Sequence, residues 1–288
     1  MSDIVYEELY PKIHLYKDLI PNPEILVKML KDSENNPGSS KVFFNWVPWS
    51  RFGTYLDRTP VPEQILANTP ESKKDEKFYN ELEYANIIWN AFHTATSHFL
   101  KKYQVSKGDD WIIMGPSYSR YFHDDDPTSH ENVMIHHTDF VRIEEYMPGN
   151  KFAITCTMYL NDDYEGGDID FIIKNDHIPY KPKAGDVLVF PSGHPDILPG
   201  GHSYLHGVKK VQKIDKYLIR CFYQVPYLGS PEWLANQEKY GKEVWSEMEK
   251  KRIEEGRKYG SEYNIKPMTP KNQFDCGGLL IKEENYDS

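Results

Sequence analysis

The sequence predicts an α+β fold in which helices flank an antiparallel β-sandwich or jelly roll. Three observations predict it. From Trp111 onward, short runs rich in β-branched and aromatic residues follow one another, separated by Gly, Asp, Asn and Pro. Ahead of them, residues 76–103 repeat apolar side chains on three- and four-residue steps, the period of one helix face. Beyond Pro226 the pattern is helical again and heavily charged. Because strands and helices do not alternate through the centre, a parallel α/β sheet is not indicated.

Near the N-terminus, "PEILVKMLKD" (23–32) has helical spacing, "NNPGSS" (35–40) reads as a loop, and residues 41–57 form an aromatic segment broken by Pro48 and Gly53. The stretch 76–103 aligns Phe78, Leu82, Ala85, Ile88, Trp89, Phe92 and Phe99, so a long amphipathic helix packed on a sheet is expected. His93 and His98 within it read as surface or packing positions. The strand candidates are "WIIMG", "YSRYF", "VMIHHTDF", "KFAITCTMYL", "GDIDFIIK", "DVLVFP", "LHGVKKV" and "KYLIRCFYQV". A further helix is expected over 230–260, opening on Ser230 as N-cap with Pro231 in its first turn. The expected organisation is a supporting region over 1–110, a β core over 111–225 and a helix with tail over 226–288, together one structural domain.

Composition narrows the function. A net charge of −10 over 288 residues gives no global attraction for nucleic acid or an anionic membrane. The three cysteines, Cys156, Cys221 and Cys276, are too dispersed for a zinc-binding Cys-x-x-Cys pair and too few for a disulfide framework. A reducing, cytoplasmic setting is expected, since neither a signal-peptide pattern nor a membrane-spanning run is visible. The 21 tyrosines suit a β-rich pocket or an interaction surface, and equally ordinary strand packing.

His-x-Asp occurs three times: His123/Asp125, His137/Asp139 and His194/Asp196. Short motifs arise by chance, so context must select. Residues i and i+2 of a strand point to the same face, and only His137/Asp139 ends an apolar strand pattern, "NVMI". The other two pairs lie in turn-like segments. His136 replaces His137 as the candidate ligand if the register slips by one residue. Two histidines and one carboxylate on one face of an octahedron leave three positions open, the arrangement suited to non-haem Fe(II). His206, in the late strand "LHGVKKV", is the best second histidine, and His202 the weaker one.

"HTD" at 137–139, "YLNDDYEGGDIDF" at 159–171, "PKAGDVLVFPS" at 182–192 and "HGVKKVQKIDKY" at 206–217 stand in an order and spacing that resemble the Fe(II)/2-oxoglutarate-dependent dioxygenases, specifically the prolyl 4-hydroxylase-like group. The resemblance spans about residues 111–225. It implies a double-stranded β-helix core with His137, Asp139 and His206 as iron ligands. It further implies that Lys216 grips the distal carboxylate of 2-oxoglutarate, with Arg220, on the same strand face, as the alternative anchor. Tyr159 would donate to the same carboxylate, and Tyr121 would line the cosubstrate pocket; core packing is the ordinary alternative for both tyrosines.

The chemistry implied is hydroxylation of a C–H bond with O₂, coupled to decarboxylation of 2-oxoglutarate to succinate and CO₂, with ascorbate as a possible accessory reductant. In related halogenases the carboxylate ligand is missing, so Asp139 favours hydroxylation. A peptidyl proline is the implied substrate, and a small molecule such as a free amino acid or natural-product intermediate is the alternative. The long Gly/Pro segment 193–204 would overhang the metal and select substrate, and the segment 123–130 is extended and acidic; both can also be plain surface insertions. Two readings from other classes compete: a non-enzymatic jelly-roll binding module, and a zinc hydrolase, in which the basic anchor would lack a role.

Overall fold

The structure, a computed structural model, describes residues 4–36, 39–40, 42, 46–50, 53–56, 62–103, 112–129, 132–137, 139, 151–173, 176–191, 204–226 and 231–248. Its strands are β1 (Tyr6–Tyr10), β2 (Ile13–Tyr16), β3 (Trp46–Ser50), β4 (Gly53–Leu56), β5 (Ile112–Tyr121), β6 (Asn132–His137), β7 (Lys151–Tyr159), β8 (Glu165–Gly166), β9 (Ile169–Ile173), β10 (Asp176–Tyr180), β11 (Val187–Pro191), β12 (Leu205–Lys209), β13 (Val211–Gln212) and β14 (Lys216–Pro226). The helices are α1 (Pro23–Asn35), α2 (Pro62–Asn68), α3 (Glu76–Tyr103) and α4 (Pro231–Tyr240).

The strands form an eight-stranded sheet in the order β1-β2-β11-β7-β14-β5-β4-β3 and a four-stranded sheet in the order β10-β9-β12-β6, with β8 and β13 as a separate short pair. The pairings are antiparallel. The sheets face each other, with Phe171 of β9 meeting Phe190 of β11 edge to face at 5.0 Å. This is the double-stranded β-helix core of a mixed α+β fold.

The two faces of the large sheet follow from side-chain alternation along β7. Ile154, Cys156 and Met158 turn outward to α3, whose Thr96 Oγ1 lies 3.1 Å from Cys156 Sγ. Phe78, Leu82, Ala85, Ile88, Phe92 and Phe99 of α3 are buried on that side, on the stripe expected from the sequence. Thr155, Thr157 and Tyr159 turn the other way, into the space between the sheets.

Four local expectations need correction. "WIIMG" and "YSRYF" belong to one strand, β5, which stays continuous because Gly115 and Pro116 sit at a bulge: Arg220 pairs with Ser117 while Phe222 pairs with Met114. The hairpin β1–β2 was not expected. Its inner strand, "IHLY", is buried at every position, with Tyr6 and α3 residues His98, Phe99 and Tyr103 packed on His14 and Tyr16, so no exposed polar alternation marks it. "DHIPY" forms β10, despite Pro179. The helix after Pro226 is not continuous: α4 stops at Gly241, whose φ of 80° is left-handed, and a second helical stretch covers 242–248. Ser230 and the chain after residue 248 lie outside the described residues. No helix among the described residues is long and apolar enough to cross a membrane.

Replacing Phe92 by alanine removes a fully buried ring from the α3–sheet contact. A loss of about 3–5 kcal/mol in urea unfolding is expected, against less than about 0.5 kcal/mol for Tyr79→Ala on the exposed side of the same helix. Equal effects would show that α3 does not bury the stripe assigned to it.

Candidate metal centre

The register of β6 and β12 sets the site. His206 stands directly opposite His137 across the pair, so both imidazoles project from neighbouring strands into the space between the sheets, ring centroids 4.6 Å apart. Asp139, two residues beyond the end of β6, brings Oδ1 to 3.4 Å from His137 Nε2 and Oδ2 to 3.3 Å from His206 Nε2. All three side chains are buried, at 3–5% exposure. Their candidate ligand atoms lie within 4.8 Å of one another.

Hydrogen bonding fixes which nitrogens face the centre. His137 Nδ1 donates to the Ile135 carbonyl at 2.8 Å, and His206 Nδ1 donates to the Tyr204 carbonyl at 3.0 Å. A carbonyl only accepts, so each Nδ1 carries a proton and each neutral imidazole turns a bare Nε2 lone pair toward the carboxylate. Thr155, from the opposite sheet, donates to Asp139 Oδ2 at 2.7 Å and holds the carboxylate in place. The rings of Phe190 and Phe171 pack on His206 at 4.8 and 5.7 Å.

Lone pairs converging in a dry site require a cation between them. Without a metal a proton serves: burial works against it at His137, but the hydrogen bond and charge of Asp139 outweigh burial and raise that pKa. Burial would raise the Asp139 pKa, yet His206 and His137 hold it well below the usual carboxylate range. The donor set therefore fits a divalent metal held on one face, with the remaining positions open.

Lys216 begins β14 on the same inward face as Leu218 and Arg220, directly opposite Tyr121 of β5. It is fully buried, donates to the Gly167 carbonyl at 2.6 Å and lies over the Tyr159 and Tyr164 rings at 4.8 and 5.3 Å. Among the described residues no carboxylate lies within 4.0 Å of it. Burial, with some help from Lys181 and against Asp168, pushes its pKa down to about 7. Asp215 anchors the start of β14 by accepting from Arg120 Nε at 2.6 Å and from the His123 backbone at 2.8 Å. Arg220 lies deeper, paired with Thr157 and Ser117, and its charge acts on both His137 and Tyr121.

Tyr159 and Tyr121 are buried, and burial raises both phenol pKa values, so both hydroxyls are neutral. Among the described residues, nothing hydrogen-bonds the buried hydroxyls of Ser119 and Tyr164. Ser119 shares the inward face of β5 with Tyr121, and neither Ser119 nor Tyr164 was singled out from the sequence.

The pair His123/Asp125 is not brought to this centre. His123 Nδ1 pairs with Asp215 Oδ1 at 2.6 Å, and Asp125 accepts from the Lys213 backbone at 2.8 Å. His194, Asp196 and His202, with residues 193–203 of the segment expected to overhang the metal, lie outside the described residues. His136 lies on the opposite face from His137, against Asp170. Thr155 was visible only as part of the polar half of β7, with no sequence feature to mark it as the carboxylate's support.

Residues 118–224 match the family model described as the 2OG-Fe(II) oxygenase superfamily, so the resemblance read from the sequence holds over the β core. No curated protein sequence matches the chain. Among solved structures, the rice dioxygenase for auxin oxidation is similar over 87% of this chain and 89% of its own, with a TM-score of 0.52 at 12% identity, a likeness of fold alone. The viral collagen prolyl hydroxylase of Paramecium Bursaria Chlorella virus-1 aligns over 74% of this chain and 96% of its own, with a TM-score of 0.44 and 15% identity. A Trichoplax adhaerens prolyl hydroxylase solved with a hypoxia inducible factor peptide aligns over 74% and 83%, with a TM-score of 0.42 and 14% identity.

Thr155→Val removes the hydroxyl that orients Asp139 while keeping the side-chain shape. Affinity for Fe(II) or Co(II), measured by competition with a chromophoric chelator, is expected to fall about 10–100-fold with the circular dichroism spectrum unchanged. Unaltered affinity would remove Thr155 from the site.

Proposed function

We propose that the chain, whose residues 118–224 match the 2OG-Fe(II) oxygenase superfamily, is an Fe(II)- and 2-oxoglutarate-dependent hydroxylase acting on a peptidyl proline. The observation that carries the reading is the buried pair of Nε2 lone pairs facing Asp139 at 3.3 and 3.4 Å. His137, Asp139 and His206 would hold the iron. Iron bound there supplies, with 2-oxoglutarate and O₂, the oxidation that converts C–H to C–OH and leaves succinate and CO₂.

The chain's own residues position and charge-match the cosubstrate. Lys216 receives the distal carboxylate: it is a buried ammonium with no carboxylate partner among the described residues, and an anionic ligand offsets the cost of its burial. Tyr159, under the Lys216 ammonium, donates its neutral hydroxyl to the same carboxylate, and Tyr121 lines the pocket opposite Lys216. Arg220 is the second candidate anchor, its charge reaching the metal-centre face. The proline preference rests on likeness alone, the resemblance of the "HTD", "YLN", "FPS" and "HGV" segments to the prolyl 4-hydroxylase-like group.

Anaerobic titration with Fe(II) and 2-oxoglutarate tests the centre. A visible charge-transfer band is expected, abolished in His206→Ala and weakened in Lys216→Ala; a folded wild-type protein without a band refutes the reading. Peptide libraries containing proline, with ascorbate present, should then gain one oxygen atom. A small-molecule substrate is the conclusion if the band forms but no proline peptide changes mass.

Lys216 also sets a pH dependence. Its ammonium fraction falls as pH rises through about 7, and binding of a dianion then requires proton uptake. Above pH 7 the affinity for 2-oxoglutarate should fall about tenfold per pH unit, while Lys216→Arg should flatten the profile. A flat wild-type profile up to pH 9 would take Lys216 out of the anchor role.

A further inference from the structure

On the outer face of the four-stranded sheet, behind the buried centre, three more ligand-type side chains converge. His136 Nε2 lies 2.9 Å from Asp170 Oδ2, and His177 Nδ1 lies 2.7 Å from the same oxygen. The three candidate ligand atoms lie within 4.8 Å of one another. They come from three strands: β6, β9 and β10.

Strand geometry shows why this meeting is unusual. β12 lies between β6 and β9, so those two strands are separated by two strand spacings, roughly 9–10 Å. Side chains that far apart do not ordinarily touch across the intervening strand. Here the intervening residue is Gly207, paired with Asp170 in the register of β12 and β9. A Cβ at Gly207 would stand 3.2 Å from His136 Cγ and 3.1 Å from His136 N. The missing side chain is the gap through which His136 reaches Asp170. His177 arrives from the other side, two residues along β10 from Pro179, the partner of Asp170, and so on the same face.

The chemistry of the cluster is that of a ligand set. Asp170 is 5% exposed, and its ion-pair partners among the described residues are the two histidines, with no lysine or arginine. His177 is 62% exposed, which gives solvent access and room for water as a remaining ligand. Two imidazoles and one carboxylate with an open position suit a borderline divalent ion such as zinc.

We propose that His136, Asp170 and His177 form a second, outward-facing site for a divalent transition metal of the zinc type, on the opposite face of the sheet from the buried centre. A metal there ties the β9–β10 hairpin to β6 across β12, with both nitrogens and a carboxylate oxygen turned from mutual hydrogen bonding to coordination. It rests on residues distinct from those proposed to hold iron.

Equilibrium dialysis of the full chain against Zn(II), followed by metal analysis, tests it with five proteins. Wild type should hold two equivalents, His177→Ala one, His206→Ala one, and the double variant none. His177 is exposed, so its replacement leaves the fold intact, and Asp170→Asn provides an independent second loss. The inference is overturned if His177→Ala and Asp170→Asn retain the wild-type stoichiometry. If wild type holds a single equivalent that survives His206→Ala and is lost in His177→Ala, the outer site stands and the buried centre does not take up zinc.

Discussion

The pairing of β6 with β12 is the constraint on which the rest of the molecule's chemistry depends. It sets His206 opposite His137 and thereby puts one imidazole from each strand on the inner face. Side chains alternate with a period of two, so a slip of one residue in β6 would exchange His137 for His136, and one in β12 would turn His206 away from the inner face. Hydrogen bonds within each strand guard against ring rotation, because each imidazole is held by the carbonyl two residues before it. The opposite sheet adds Thr155 and Phe190, so the centre is assembled only when both sheets are in place.

Lys216 shows the same dependence on distant parts. The turn containing Gly166 and Gly167, both at positive φ, sets the Gly167 carbonyl under the ammonium. Asp215, held by Arg120 of β5 and by His123, fixes where β14 begins. A buried ammonium with a single carbonyl partner among the described residues is an expensive arrangement.

The core could be read from the sequence where one physical signal dominated. The apolar stripe of α3 is local, and it appears in the structure with the spacing expected. The pairing of His137 with Asp139 follows from strand alternation, although β6 ends at His137 and the aspartate lies two residues beyond it. Features set by pairing between distant segments could not be read. The strand "IHLY" is buried on both faces, one of them by α3, and Gly115–Pro116 looks like a break until pairing with β14 makes it a bulge. Asp170 and His177 carry no motif; their relation to His136 exists only through the gap at Gly207.

The position of β2 has a consequence for the order in which the molecule can be made. Residues 13–16 form an inner strand of the large sheet, yet their partner, Val187–Pro191, is synthesised far later. As the chain leaves the ribosome, the early hairpin must wait with one hydrogen-bonding edge open, while α3 is already available to cover the face that carries His14 and Tyr16. The aromatic cluster that joins Tyr6, His14 and Tyr16 to His98 gives that waiting hairpin a place to dock. Nascent-chain folding should therefore proceed from the α3-docked hairpin, with the sheet completed only when β11 emerges.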